Sequence, residues 1–244
     1  VSVSNSVLIA DAGNTCVKWT WFMGDEVVSK WIGSIEQKPA TCMPDVIALA
    51  SVRSEEHDIA LEKALNQVFP KVEVFVIRST AEACGVYNAY REPHRLGVDR
   101  WLAVVAAYQL YGGLTVIVDA GTAIKVDFVD ATGKHLGGYI APGLELMTES
   151  LTSNTARIRF SDAEVRVGEG IPNSTASAVN QGCFEMALGF VHRLYQRHSE
   201  ANWVATGGLG EVLMQRLGID CNINEHLVAV GAKSILAQRL RTGR

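Results

Sequence analysis

Two short stretches of this 244-residue chain place an acidic residue, a glycine and hydroxyl or amide side chains directly after an apolar run. The first is Asp11-Ala12-Gly13-Asn14-Thr15 after Leu8-Ile9-Ala10, followed by Lys18; the second is Asp119-Ala120-Gly121-Thr122 after Ile117-Val118. A carboxylate at a strand end can hold magnesium, through water because that ion keeps much of its hydration shell. A glycine leaves backbone amides open to an anion at close range, and Asn14, Thr15 and Thr122 add neutral donors. Lys18 supplies positive charge. These residue types suit the phosphates of a nucleotide, and the chemistry they point to is phosphoryl transfer. One Asp-x-Gly-Asn alone is equally a hairpin turn, and Asp119 alone equally a strand-end acid satisfied by turn amides. The repetition carries the functional reading.

The two copies extend further. Val17-Lys18-Trp19-Thr20-Trp21-Phe22 and then Gly24-Asp25 are echoed by Ile124-Lys125-Val126-Asp127-Phe128-Val129 and then Thr132-Gly133. Each copy reads as strand, glycine turn, strand, second turn, third strand. In the first copy the strands are expected over 7–12, 16–23 and 27–33, with a fourth from Asp45 to Val52. An amphipathic helix opens at Ser54-Glu55-Glu56-His57 and stops at Pro70, and Val72 to Ile77 is a fifth strand. That order is a mixed sheet of the ribonuclease-H type. The predicted fold is α/β, a duplicated ribonuclease-H-like (actin-like ATPase) arrangement of two lobes, each a mixed five-stranded sheet with flanking helices.

The lobes are expected over 1–112, with the first phosphate turn and a substrate loop, and over 113–244, with the second turn and an adenosine motif. They would face each other across the nucleotide's phosphates. Further helices are expected at 99–111, 143–153, 175–198 and 225–241. Thr206-Gly207-Gly208 follows the apolar run Trp203-Val204-Ala205 and precedes a helix around 209–217, where a flat base or a phosphate can approach free amides. A plain strand-to-helix turn reads the same way.

Composition bounds the partners. A net charge of −4 and a pI near 5.9 favour neither nucleic acid nor an anionic membrane. Five scattered cysteines without metal-ligand spacing read as ordinary cytosolic thiols. The longest apolar tract, Trp101 through Val118, is broken by Gln109 and by Gly112-Gly113, so it reads as helix, stop and strand and not as a membrane span. Residues 1–6 are small and polar with no basic start, which speaks against a leader. Small-molecule substrates in the cytoplasm are the expectation.

Taken together, Asp11-Ala12-Gly13-Asn14-Thr15 with Lys18, Gly97-Val98-Asp99-Arg100, Asp119-Ala120-Gly121-Thr122-Ala123, Gly137-Gly138-Tyr139-Ile140-Ala141-Pro142-Gly143 and Thr206-Gly207-Gly208 occur in the order and approximate spacing of type III pantothenate kinases. The resemblance covers nearly the whole chain, and it extends to the superfamily of acetate and sugar kinases, Hsp70 and actin. It implies ATP- and magnesium-dependent phosphorylation of the primary hydroxyl of pantothenate, the first step of coenzyme A synthesis. Asp99 matches the catalytic base. It would mainly orient the alcohol, because a carboxyl group with a reference pKa of about 3.9 accepts that proton only late in a loose transition state.

The resemblance also implies roles for other residues. Arg100 would grip the pantothenate carboxylate or amide oxygen through paired hydrogen bonds, with a surface ion pair as its plain alternative. Gly97 and Val98 would let substrate lie against the backbone, and Tyr90 and Thr175 would line the same pocket. Tyr90 is equally a loop-packing aromatic, and Asn173-Ser174-Thr175 equally a helix cap. Asp11 would hold magnesium through water. Gly13, Asn14, Thr15, Lys18, Gly121, Thr122, Thr206, Gly207 and Gly208 would bind ATP. Asp119 matches the position that binds an activating monovalent cation, potassium or ammonium. The chain would form a homodimer.

Ile124-Lys125-Val126 departs from the family, which often has small or hydroxylated residues there. Lys125 either touches phosphate or, as the plainer expectation, faces solvent. Trp19, Trp21 and Trp31 are expected to pack the first lobe. His192 and His198 share an exposed or interface face of one helix, and Leu144, Met147 and Leu151 form a helical stripe that suits a dimer contact or a core. Three other functions are open on this scaffold: a non-catalytic regulator, an exopolyphosphatase-like hydrolase, or a sugar or small-alcohol kinase. The first would tolerate loss of Asp11, Lys18, Asp99, Arg100 or Asp119, all of which are present. The second needs a basic channel, and no basic run exists. The third differs only in the acceptor pocket around 90–100 and 175.

Overall fold

The computed structural model describes residues 5–164 and 170–243. Residues 1–4, on which part of the reading against a leader rests, lie outside them. In chain order the elements are β1 (Ser6–Ala12), β2 (Val17–Met23), β3 (Glu26–Ile32), β4 (Val46–Ser51), α1 (Glu55–Val68), β5 (Glu73–Ile77), the short β6 (Glu82–Ala83) and β7 (Val86–Tyr87), and α2 (Val98–Tyr111). The second half holds β8 (Thr115–Ala120), β9 (Ala123–Val129), β10 (His135–Pro142), α3 (Leu144–Asn154), α4 (Thr175–Arg197), β11 (Asn202–Thr206), α5 (Gly210–Leu217), β12 (Asn222–Ile223) and α6 (Leu227–Thr242).

The duplication read from the sequence is present in the sheets. One has the order β3-β2-β1-β4-β5 and the other β10-β9-β8-β11-β12, so each repeats third, second, first, fourth, fifth. In the first, β1 runs antiparallel to β2 and parallel to β4, and β4 runs parallel to β5. Apolar runs become central strands here because both faces are covered: every residue of β1 except Asp11 is buried. The outer strand β3 alternates exposed and half-buried positions, as an edge strand facing water on one side must.

Leu8, Ala10, Trp19, Trp21, Ile47, Leu49 and Leu65 form the core of this sheet against α1. Trp19 stacks on Trp31 with ring centroids 5.7 Å apart, and its indole N–H donates to the Gly33 carbonyl at 2.8 Å. Trp21 donates to Ser6 Oγ at 2.8 Å, so two indoles bury their rings without stranding a donor. Helix α1 begins after Ser54, whose hydroxyl bonds the His57 ring at 2.7 Å instead of capping a backbone amide.

By compactness the chain divides into two units. The first runs through Thr115 and includes Asp127–Gly137 and His226–Arg244; the second comprises Val116–Val126 and Gly138–Glu225. The sequence division at 112/113 follows the repeat, whereas in the compact units the C-terminal helix α6 goes with the first sheet. It packs on α2 and β1. Gly231 of α6 sits so close to α2 that an added Cβ would overlap the Leu102 carbonyl.

Gly231→Ala is therefore expected to cost about 1–3 kcal/mol through overpacking. Gly189→Ala, in α4 with open space around it, should gain up to about 1 kcal/mol from helix propensity. Urea unfolding of the two variants measures both, and equal effects would contradict the close α2–α6 approach.

Candidate active site

In the first unit, the turn expected to hold phosphate is the loop Gly13-Asn14-Thr15-Cys16 between β1 and β2. Asp11 and Lys18 lie opposite each other across the two strands, so a half-buried carboxylate and an exposed lysine flank the turn. Asn14 and Thr15 are exposed at its tip. The loop is braced by Arg53, whose Nε donates to the Gly13 carbonyl at 2.6 Å, and by Val52, whose N–H donates to the Ala12 carbonyl at 3.1 Å. Both residues follow directly on β4, the parallel neighbour of β1.

The same Val52 borders Gly97: a Cβ placed on Gly97 would lie 3.9 Å from Val52 Cγ1. The end of β4 therefore lies beside both the β1–β2 turn and the loop before α2. Gly97 is the N-cap of α2, and Asp99 lies in its first turn, where a helix N-terminus favours a negative charge. The carboxylate curls back, accepting the Arg100 N–H at 2.8 Å, and a Cβ on Gly97 would stand 2.7 Å from Asp99 Oδ1. Only glycine leaves room for the acid in that position. Val98 beside it is buried.

Arg100 is held by side chains of the protein itself. Its side chain is only 4% exposed, and its Nε and Nη2 donate to the two oxygens of Asp127 at 2.8 and 2.6 Å. This guanidinium makes its paired hydrogen bonds to a carboxylate of the protein's own β9, and the pair is buried where the plain alternative had it at the surface. Its remaining Nη1 donates to the Tyr90 hydroxyl at 2.9 Å. Burial alone would pull the Arg100 pKa down; the hydrogen bonds and charge of Asp127, with Tyr90, outweigh it and hold the guanidinium above its ordinary range.

His135, fully buried, closes the network. The Ala89 N–H donates to its Nδ1 at 3.4 Å, which leaves Nε2 as the donor to Asp127 Oδ1 at 3.0 Å. Its ring stacks near Tyr90, centroids 6.4 Å apart. Tyr90 is thus held by Arg100 below and His135 beside it.

In the second unit, β8 ends in Asp119-Ala120 and a two-residue turn, Gly121-Thr122, returns as β9. The Gly121 N–H is spent on the Ala123 carbonyl at 3.0 Å, so the amide cradle expected there is partly closed, while Thr122 is exposed. Lys125 Nζ stands 2.6 Å from Asp119 Oδ2, with side-chain exposures of 18% and 16%. The lysine does not face solvent, as the plainer expectation had it. The turn after β11 closes over the same carboxylate. Gly207, at φ +80°, lies so near that a Cβ would be 2.6 Å from Asp119 Oδ1 and would overlap the Ala120 carbonyl. Thr206 is buried, and Gly208 is exposed with open space beside its Cα. Thr175 is exposed at the first turn of α4, next to Ser174, which caps that helix by accepting the Ser177 N–H at 3.3 Å.

Asp127, His135 and Arg53 escaped the sequence reading. Asp127 had a signal: a charge in a strand whose other positions from Ile124 to Val129 are apolar except Lys125 must find a partner. Arg53 had none, since its partner Gly13 lies 40 residues away, and His135 had none, since it joins Asp127, 8 residues before it, to Ala89, 46 residues before it. The cysteines are free thiols, and burial pushes Cys42 up to about 11.

A profile of type III pantothenate kinases matches residues 7–197. A protein of Marinomonas sp. (strain MWYL1), named type III pantothenate kinase, is 53% identical over 243 residues, covering 99% of both chains. The chain belongs to the type III pantothenate kinase family. As a member it is a phosphotransferase acting on an alcohol group, with ATP and a divalent metal. A type III pantothenate kinase of Pseudomonas aeruginosa is 37% identical over 92% of this chain and 96% of its own. Among solved structures, a Baf family transcriptional activator from Campylobacter jejuni superposes with a TM-score of 0.61 at 22% identity, over 96% of this kinase and 99% of that chain. The 2-hydroxyisocaproyl-CoA dehydratase activator of Clostridium difficile with bound ADPNP gives 0.50 at 10% identity, over 98% of each. At such identities these two speak for the shared fold of the kinase, the actin-like ATPase architecture, and for nothing further.

Removing Asp127 from this network leaves a buried guanidinium uncompensated. Asp127→Ala is expected to cost about 3–5 kcal/mol of stability, measured by denaturant unfolding; a loss below about 1 kcal/mol would show that Arg100 is satisfied without it.

Proposed function

We propose that this kinase transfers the γ-phosphoryl group of ATP to the primary hydroxyl of pantothenate, giving 4'-phosphopantothenate for coenzyme A synthesis, with Asp99 as the catalytic base. The observation that carries the reading is the full-length match to relatives named type III pantothenate kinase, joined to a carboxylate held by Gly97 at the start of α2 beside the first phosphate turn. Cytoplasmic action, where ATP and pantothenate meet, fits a chain with no membrane-spanning helix among its described residues.

Asp99 accepts a hydrogen bond from the attacking hydroxyl and takes its proton as the new phosphate ester forms. Gly13, Asn14, Thr15 and Lys18 bind the phosphates at the first turn, and Gly121 and Thr122 at the second, chiefly through the Thr122 hydroxyl. Thr206 shapes the turn at which Gly207 and Gly208 receive the adenosine. Asp11, half-buried with an oxygen-only donor at the strand end, fits magnesium held through water; the ion when bound neutralises charge on the β- and γ-phosphates. Tyr90, Gly97 and Val98 bind pantothenate, and Thr175 is the residue of the second unit assigned to the same substrate. Arg100 acts there through the Tyr90 hydroxyl, which its Nη1 fixes as an acceptor so that the phenolic proton is free to reach the substrate.

The chain acts as a homodimer. Helix α3 buries none of its residues, and with α4 it lines an apolar groove of about 420 Å³ formed by Leu151, Ile158, Val179, Cys183 and Met186 among others. Met186 is 65% and Leu151 38% exposed, so the helical stripe at 144–151 is not core within one chain, and a second copy is the occupant that restores burial.

ATP consumption with pantothenate, against glycerol, acetate and a hexose as acceptors, tests the substrate. Turnover with a hexose and not with pantothenate would transfer the chain to the sugar kinases. Asp99→Asn should lower kcat about 10²- to 10⁴-fold with ATP affinity unchanged; retention of full turnover would remove the base assignment. Met186→Glu should shift the sedimentation coefficient toward the monomer, and a monomeric wild type would refute the dimer.

A further inference from the structure

The monovalent cation that the family resemblance implies would need the Asp119 carboxylate, and one oxygen of that group already holds a positive charge while the other is closely packed. Oδ2 holds the Lys125 ammonium at 2.6 Å, and Oδ1 faces the Gly207 turn, where not even a Cβ could be added. A second cation against Oδ2 would have to sit beside a positive charge within a half-buried pair, where repulsion is weakly screened. The donor set does not fit potassium as it stands. It does fit what potassium supplies, one positive charge at that carboxylate beside the second phosphate turn.

We infer that the Lys125 ammonium takes the place of the monovalent cation at Asp119, so that this kinase turns over without added potassium or ammonium. A lysine head group is a substituted ammonium ion, with the charge and N–H donors of the free one. Tethered on β9, six positions along the chain from its partner and joined to it by a two-residue turn, it is present at every salt concentration. The charge balance of the site is kept, because one cation replaces another and none is added. The inference rests on the kinase reading and on Asp119 as the family's cation ligand.

Turnover of pantothenate and equilibrium affinity for ATP, both measured with tetramethylammonium as the sole monovalent cation and then with potassium or ammonium added, test it. The wild type should change less than about twofold in either. Lys125→Met, which keeps the stem and removes the charge, should lose about 10²- to 10³-fold in kcat without those cations and recover at least about tenfold when either is added. A wild type that needs potassium or ammonium overturns the inference while leaving the kinase reading intact. So does a folded Lys125→Met enzyme that is active without them, or one that neither ion restores; the last result would make Lys125 a phosphate ligand. Should the variant not fold, the wild-type salt dependence decides alone. No turnover of pantothenate by the wild type in any salt would instead sink the kinase reading itself.

Discussion

A guanidinium and a carboxylate, both about 4% exposed, meet at the start of α2, and neither could be buried there without the other. The pair sets more than its own position. Arg100 is the residue after Asp99, so the bidentate grip of Asp127 on its side chain fixes the rotation of the first turn of α2 and with it the direction of the acid. The one donor left over goes to Tyr90, and His135 spends its own donor on Asp127 while stacking beside the same tyrosine. A helix N-terminus, two strands and a loop are locked by five hydrogen bonds that leave little freedom to any of their members. Such rigidity suits the role of base proposed for Asp99, which would hold a hydroxyl in line for attack, since misplacement by about 1 Å costs rate steeply.

The two copies of the repeat have diverged at the same place. In the sequence echo Asp11 answers to Asp119 and Lys18 to Lys125, yet the loops differ in length, Gly13 to Cys16 in the first and Gly121-Thr122 in the second. With the longer loop, Lys18 stays exposed and Asp11 half-buried, a pattern suited to a phosphate and a hydrated metal. In the tighter turn the lysine lies against its carboxylate, and Gly207 closes the other side. One arrangement of acid, turn and lysine thus leaves the lysine exposed in one unit and forms an internal ion pair in the other.

The strands, helices and sheet order were legible because apolar runs, glycine turns and helical stripes are local signals, and two copies reinforced each other. The expected strand at 45–52 and helix at 175–198 differ from β4 and α4 by a residue or two at their ends. Asp99, Gly97 and the turn residues were legible as motifs for the same reason, being contiguous in the chain. Arg100 was not, because a motif states which residue is present and not which way it faces. Its partner lies 27 positions away on a strand that reads as ordinary.

What the sequence by itself determined was the duplicated α/β architecture and the contiguous turns that carry acid, glycine and hydroxyl groups, since local periodicity and steric freedom decide those. The tertiary structure alone decided where charges are neutralised: Arg100 inward on Asp127, Lys125 onto Asp119, and α6 packed on the first sheet. Pairing of buried charges depends on distances between segments far apart in the chain, and such distances exist only once the core has formed.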